Sequence, residues 1–358
     1  MKMTIRWFGE KLDSRIPLSY IKQIPGVSGV VTSLMDIPVG DIWGMNRINK
    51  LSEQCKAADL ECEVIESVNI HEDIKLGLST RDKYIENYIE TMKNLHNIGI
   101  KVICYNFMPV LDWARSTLFY NLPDGSNTMY FENNVVMNIT VDELAAMYRK
   151  ESDKYEMPGW EPERMKIVNE TIAQYKDMTE KEYWKNIKYF LDAIIPFAEK
   201  YDIKMAIHPD DPPWPIFGLP RLITGRDNIR RFLDLNKSPY NGITLCTGSL
   251  GANPANDIPA IIREFSKEGR IHFAHVRNLK FEAEKSFYEC AHYEPAGSLP
   301  IFDIMEAFYD TEFDGFIRPD HGRMIWGEIG RAGYGLYDRA LGSQYLLGIW
   351  QALKRIKK

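Results

Sequence analysis

Along the chain, short apolar runs alternate with longer stretches whose apolar positions recur every three or four residues. The runs are Met3–Phe8, Gly29–Leu34, Cys62–Ser67, Lys101–Phe107, Lys204–His208, Ile243–Cys246, Ile271–Val276 and Phe316–Asp320. Their length and composition predict buried strands. The helical spacing predicts helices over Leu18–Gln23, Met45–Ala58, Arg81–Asn97, Glu180–Tyr201, 227–235, 258–268, 301–309 and 336–353, with Gly99 as a helix stop. Strands alternating with helices imply a parallel sheet covered by helices, and eight repeats is the number that closes a barrel. The expected fold class is therefore α/β, a (β/α)8 TIM barrel. A doubly wound open sheet fits less well, because no G-x-G-x-x-G turn follows the first strand.

The rhythm breaks once, between residues 110 and 179. Ser116–Tyr120 and Thr128–Glu132 flank Pro123-Asp124-Gly125, which reads as a β-hairpin, and a polar helix is expected over Val141–Ser152. The expected organisation is a single barrel domain over 1–358, with a hairpin and helical insertion at 110–179 after strand four. An irregular segment of that length is expected to serve as a lid or an oligomer contact. Its aromatic residues Trp113, Phe119, Tyr120, Tyr130 and Phe131 are expected to be exposed, which makes a homodimer plausible.

Composition narrows the function classes. Among 358 residues, 45% are hydrophobic and 26% charged, which is ordinary for a folded protein with a large core. Forty-four Lys and Arg against 50 Asp and Glu give a net charge of −6, with no pull toward phosphate backbones, so no nucleic-acid partner is expected. The basic tail Lys354-Arg355-Ile356-Lys357-Lys358 reads as cations complementing a helix C-terminus. No run approaches the roughly 18 apolar residues that span a bilayer, and Met1–Asp13 lacks the apolar core of a signal peptide. Five cysteines, an odd number with no C-x-x-C pair, point to a reducing cytoplasm.

Active sites of such barrels gather at the C-terminal ends of the strands. There, four consecutive strands end in His208, Cys246, His275 and Asp320. Each could be unremarkable alone: a satisfied histidine, a small hydrophobic cysteine. Four on adjacent strands of a closed barrel must converge, and together they predict a metal site. His272 and His275 differ by an odd number and so should face opposite sides of the sheet; His272 is expected to pack under a helix. Two imidazoles, a thiolate and a carboxylate suit Mn, Fe, Co or Zn better than Mg or Ca. Softness favours Zn²⁺, whereas the open positions a chelating substrate needs favour octahedral Mn²⁺ or Fe²⁺. Other rim candidates are Arg6, Trp7, Glu66, Asn69, Asn106, Arg277, Asn278, Arg318 and His321. The glycine-rich segment 330–335 carries Tyr334 as a candidate general acid or base, and Arg6 and Arg318 suit a carboxylate.

These residues also carry a resemblance. Ile207-His208-Pro209-Asp210-Asp211-Pro212-Pro213, Leu245-Cys246-Thr247-Gly248, Phe273-Ala274-His275-Val276-Arg277-Asn278 and Arg318-Pro319-Asp320-His321-Gly322-Arg323 together resemble the mannonate dehydratases. Arg6-Trp7-Phe8-Gly9 and Gly333-Tyr334-Gly335-Leu336-Tyr337-Asp338-Arg339 fit as well, so the likeness spans the whole chain. The resemblance implies a xylose-isomerase-like barrel, a hydro-lyase of hexuronate catabolism using Mn²⁺ or Fe²⁺, and D-mannonate, a small sugar acid, as substrate. The product would be 2-keto-3-deoxy-D-gluconate. It implies His321 and Tyr334 as the acid–base pair, and Arg6, Trp7, Asn106, Arg277 and Arg318 as substrate-binding groups. A metal-dependent sugar isomerase or epimerase on the same barrel is the alternative, disfavoured by a ligand set with one carboxylate and a thiolate.

Overall fold

The computed structural model describes residues 1–10, 12, 15–151, 160 and 165–357. Eight parallel strands form a closed barrel: β1 (Lys2–Arg6), β2 (Val27–Thr32), β3 (Glu61–Glu66), β4 (Val102–Tyr105), β7 (Lys204–Ile207), β8 (Asn241–Cys246), β9 (Ile271–Val276) and β12 (Phe316–Pro319). The sheet closes where β1 pairs with both β2 and β12. All eight coincide with the apolar runs, and the barrel is the expected α/β fold.

The helices follow their local signals. Over Glu180–Tyr201, Thr179 and Glu182 form a reciprocal capping box at the N-terminus. Tyr183, Ile187, Phe190, Leu191, Ile194 and Ile195 make its buried face. At Ile258–Lys267 the Asp257 side chain caps the Ala260 N–H, with Pro259 in the first turn. The last helix, Leu336–Ile356, carries Lys354 and Arg355 in its final turn, and Lys357 beyond it pairs with Glu306 and Asp310. The expected Val141–Ser152 helix spans Val141–Glu151; Ser152 lies outside the described residues, as do Lys358 of the basic tail and Asp13 near the start.

The predicted hairpin exists as β5 (Thr117–Asn121) and β6 (Asn127–Phe131), turning at Gly125 with φ 84°. It does not stand alone. Two strands that the sequence reading missed, β10 (Leu279–Ala283) and β11 (Ser286–Glu289), complete a four-stranded antiparallel sheet in the order β10-β11-β6-β5. Their trace was the alternation Leu279-Lys280-Phe281-Glu282, hidden by its brevity and charge. This accessory sheet also disposes of the expected exposed aromatics. Phe131 stacks on Phe287 and meets Trp214, Tyr120 packs on Tyr130 and Tyr288, and Trp113 packs against the touching pair Tyr148 and Trp160. None of the five is exposed: the second hairpin covers Phe131 and Tyr120 through Phe287 and Tyr288, while Trp113 is covered from within the insertion. The insertion's exposed large apolar residues are instead Met137 and Ile167, and others gather away from it at Trp326 (74% exposed), Ile329, Tyr337, Leu341 and Tyr20.

Small and aromatic side chains fill the barrel axis: Val31, Val64, Val102, Cys104, Ala206 and Phe273. His272 departs from the expected alternation. The β8–β9 register shifts between Ile243 and Thr244, so that Thr244 pairs with Phe273 rather than His272. The His272 ring then lies where a Cβ on Gly242 would meet it at 2.4 Å. Gly242 pairs with Ala206 of the inner layer, so His272 turns into the base of the barrel, not under a helix, and its Nδ1 sits 2.9 Å from the Met205 carbonyl oxygen. A register shift reverses a strand's facing.

Candidate active site at the barrel mouth

Strand register brings the cluster together. His275 pairs with Cys246 on one side and Arg318 on the other, and paired residues share a face. Asp320 follows β12, with its N–H donating to the Val276 carbonyl at 3.0 Å; His208 follows β7, its N–H donating to the Tyr105 carbonyl at 2.6 Å. Ligating atoms of His208, Cys246 and His275 all lie within 4.8 Å of one another. Asp320 joins them, with Oδ1 3.5 Å from His275 Nδ1 and Oδ2 3.4 Å from Cys246 Sγ. Burial raises the Asp320 pKa, but His321, Arg318, Arg277 and His275 outweigh it and hold the carboxylate well below its ordinary value.

Whether these four suit a cation can be judged from the imidazoles. His208 Nδ1 lies 2.7 Å from the Pro209 carbonyl oxygen, which can only accept, so Nδ1 carries the proton and Nε2 is bare. His275 Nε2 has the Glu66 carboxylate 3.2 Å away, which favours the proton there and leaves Nδ1 bare. The two bare nitrogens then face each other at 3.2 Å, beside a sulfur and an ionised carboxylate. Arg318 Nη2, 3.4 Å from His275 Nδ1, offsets part of the repulsion between these lone pairs; a cation between them would remove the rest, and this donor set suits a borderline divalent metal.

A cavity with about 810 Å³ of open space, part of it solvent-facing, lies over the cluster. Arg6, Asn106, His208, Arg318, Asp320, His321 and Tyr334 line it, together with Phe8, Met35, Glu66, Asn69 and Asp211. His321 and Tyr334 are neighbours, with ring centroids 5.1 Å apart. Burial, countered in part by Arg318 and Arg6, pushes the Tyr334 phenol up to about 12, so at neutral pH it keeps its proton and can donate it.

Two expected substrate groups do not reach the cavity. Trp7 faces the opposite way from Arg6, as neighbours along an extended chain do, and its indole N–H donates to the Ile16 carbonyl at 3.1 Å in the outer core. Arg277 is spent on protein carboxylates, at 2.8 Å from Asp211, 2.9 Å from Glu289 and 3.3 Å from Asp320. Its guanidinium lies so close over Gly248 that a Cβ there would meet Nε at 1.9 Å. Three residues of this network escaped the sequence reading. Asp211 stood in a visible motif without a role; Arg115 and Glu289 gave no local signal, because their partners come from remote segments.

A (β/α)8 barrel whose C-terminal mouth gathers His, Cys and Asp ends beneath a polar cavity has the layout of a barrel enzyme. Sequence comparison specifies which: the sequence model of the D-mannonate dehydratase (UxuA) family matches residues 1–358, and the chain belongs to that family. It is 57% identical to a mannonate dehydratase of Thermotoga neapolitana over 100% of this chain and 99% of that one. It is 51% identical to one of Geobacillus thermodenitrificans, covering 100% and 96%. The crystal structure of mannonate dehydratase from Streptococcus suis serotype 2 superposes with a TM-score of 0.90 at 42% identity, over 99% of this chain and 95% of that one. D-Psicose 3-epimerase from Clostridium cellulolyticum H10, with a TM-score of 0.58 at 11% identity over 98% and 99% of the chains, shares the fold alone.

Proposed function

We propose that this chain is a metal-dependent hydro-lyase that dehydrates D-mannonate to 2-keto-3-deoxy-D-gluconate and water. The observation that carries the reading is the convergence of His208, Cys246, His275 and Asp320 beside His321 and Tyr334 in one cavity. A divalent cation held by those four residues, Mn²⁺ or Fe²⁺, would supply stabilisation of the negative charge that builds on the substrate's carboxylate end. The chain's own residues do the rest. Arg6 orients the carboxylate, Asn106 hydrogen-bonds the sugar hydroxyls, and His321 and Tyr334 are the acid–base pair for loss of the C2 proton and the C3 hydroxyl. Burial keeps the Tyr334 phenol protonated at neutral pH, so it has a proton to give to the departing hydroxyl.

Arg318 has a different part in this reading. Its guanidinium is engaged at 2.8 Å with Glu66 and 2.9 Å with Asp320, so it holds the carboxylates around the cluster and does not anchor substrate. The insertion forms a wall of the site: Asp112 and Trp113 line the cavity, and Arg115 reaches Asp211 at 2.8 Å. That supports the lid half of its expected role. The insertion aromatics on which the homodimer expectation rested are not exposed; a homodimer would instead use the exposed patch around Trp326 and Tyr337. Among the described residues no helix is long and apolar enough to cross a membrane, which is compatible with the proposed cytoplasmic location.

The test is incubation of purified protein with D-mannonate and Mn²⁺, followed by colorimetric detection of a 2-keto-3-deoxy acid. Metal analysis of protein prepared without added metal accompanies it. Absence of the keto acid with either Mn²⁺ or Fe²⁺ would refute the reading.

A further inference from the structure

A chain of buried charges runs from the accessory sheet to His321. Glu289 sits on β11, outside the barrel, and both its carboxylate oxygens lie 2.8 Å from His321 Nδ1. Its Oε1 also accepts from Arg115 Nη2 at 2.8 Å and from Arg277 Nη1 at 2.9 Å. Asp211 in turn holds both arginines, at 2.8 Å each. Three segments remote in sequence, around Arg115, around Asp211 and over Arg277–Glu289, thus spend four buried charges on the surroundings of one ring nitrogen.

Resting on the reading of His321 as half of the acid–base pair, the geometry points to Glu289 as its positioning residue. Glu289 accepts the Nδ1–H, sets the tautomer, and leaves Nε2 with its lone pair for the substrate. A carboxylate behind an imidazole performs this task in hydrolytic triads; here it comes from a sheet that is not part of the barrel.

One contact competes. Arg277 Nη1 also lies 2.8 Å from His321 Nδ1 and would donate to a bare nitrogen, giving the opposite tautomer. The surroundings of Glu289 decide between them. Arg115 and Arg277 both donate to its carboxylate, at 2.8 and 2.9 Å, and hold it ionised, so a bare Nδ1 would aim its lone pair at two anionic oxygens 2.8 Å away. Glutamine at position 289 would remove that constraint, since its amide can donate to a bare Nδ1.

Glu289→Gln is therefore expected to lower kcat on D-mannonate roughly 10²- to 10⁴-fold, with KM within about threefold and bound divalent metal unchanged. Glu289→Asp, which keeps the charge, should recover part of kcat. A Gln variant with kcat within threefold of wild type overturns the proposal. So does a parallel loss of kcat and metal that Asp does not relieve, which would mark a merely structural role. A second measurement does not depend on how the Glu289 variants fold. In Zn²⁺-loaded wild type labelled with ¹⁵N-histidine, the His321 resonance, identified by its loss in His321→Asn, should show the proton on Nδ1. A proton on Nε2 with Nδ1 bare refutes the proposal. Failure of wild type to dehydrate D-mannonate refutes the proposed reaction and leaves the tautomer result standing.

Discussion

Two arginines face the same cavity from neighbouring strands, Arg318 from β12 and Arg6 from β1, and their surroundings differ. On the wall built by β8, β9 and β12, every buried charge is matched: Arg318 holds Glu66 through two nitrogens, at 3.1 and 2.8 Å, and also reaches Asp320. On the β1 wall, Arg6 is equally buried, yet its donors reach only the carbonyls of Trp7 and Val31, at 3.0 and 3.2 Å, and the Met35 sulfur. Among the described residues no carboxylate lies within ion-pair distance of Arg6, and burial pulls its pKa down. Glu66 acts on Arg6 only from beyond ion-pair distance, and a buried cation so weakly paired is costly. An arriving sugar-acid carboxylate would remove that cost, whereas at Arg318 it would compete with partners already in place. Residue type alone made the two equivalent; the partners separate them.

The largest expected effect is at the seam between the walls. Tyr334→Phe should lower turnover roughly 10²- to 10⁴-fold, with metal content and substrate affinity kept, as measured by steady-state kinetics and metal analysis. A substantially active variant would remove Tyr334 from the acid–base pair. Next comes the matched wall. Arg318→Met removes the guanidinium that Glu66 and Asp320 share, leaving Asp320 with Arg277 at 3.3 Å and Glu66 with His275 at 3.2 Å, and should destabilise the protein by about 3–5 kcal/mol, read from denaturant midpoints. Stability within error of wild type would dissolve the contrast. On the open wall, Arg6→Met should instead raise KM about 10- to 100-fold, the worth of losing a charge-assisted hydrogen bond, with stability held or improved. A fall in stability without a change in KM would invert the assignment.

The smallest effect belongs to a control outside both walls. Burial first, then Lys204, lowers the His272 pKa to about 3 from 6.5. Between those values the unfolded chain binds a proton that the folded chain refuses, so the stability from His272 is complete above about pH 6.5 and falls as pH drops toward 3. His272→Gln should flatten the stability profile between pH 6.5 and 5 by about 2 kcal/mol without altering metal content. A profile unchanged by the substitution would mean that His272 is not buried neutral.

How much was legible follows from the range of each signal. The eight barrel strands and the long helices were readable because their apolar periodicity is local and their caps, such as Thr179 with Glu182, lie within one turn. The convergence of His208, Cys246, His275 and Asp320 was readable because strand ends in a barrel share one rim. The β10–β11 hairpin was not, since short charged strands carry little periodicity and these are stabilised by β6. The turn of His272 into the barrel was hidden as well: a register shift leaves no mark in composition, although it reverses the facing that alternation predicts.

The order of elements, the barrel they close and the residue types at its mouth were determined by the chain's own pattern, because periodicity and strand ends are properties of neighbours in sequence. Which charges meet was decided only in three dimensions. Arg318 and Glu66 lie 252 positions apart, and Arg115 and Glu289 lie 174 apart. Burial makes such pairing obligatory without prescribing the partner, so the roles of Arg6, Arg277, Arg318 and Glu289 emerge from packing.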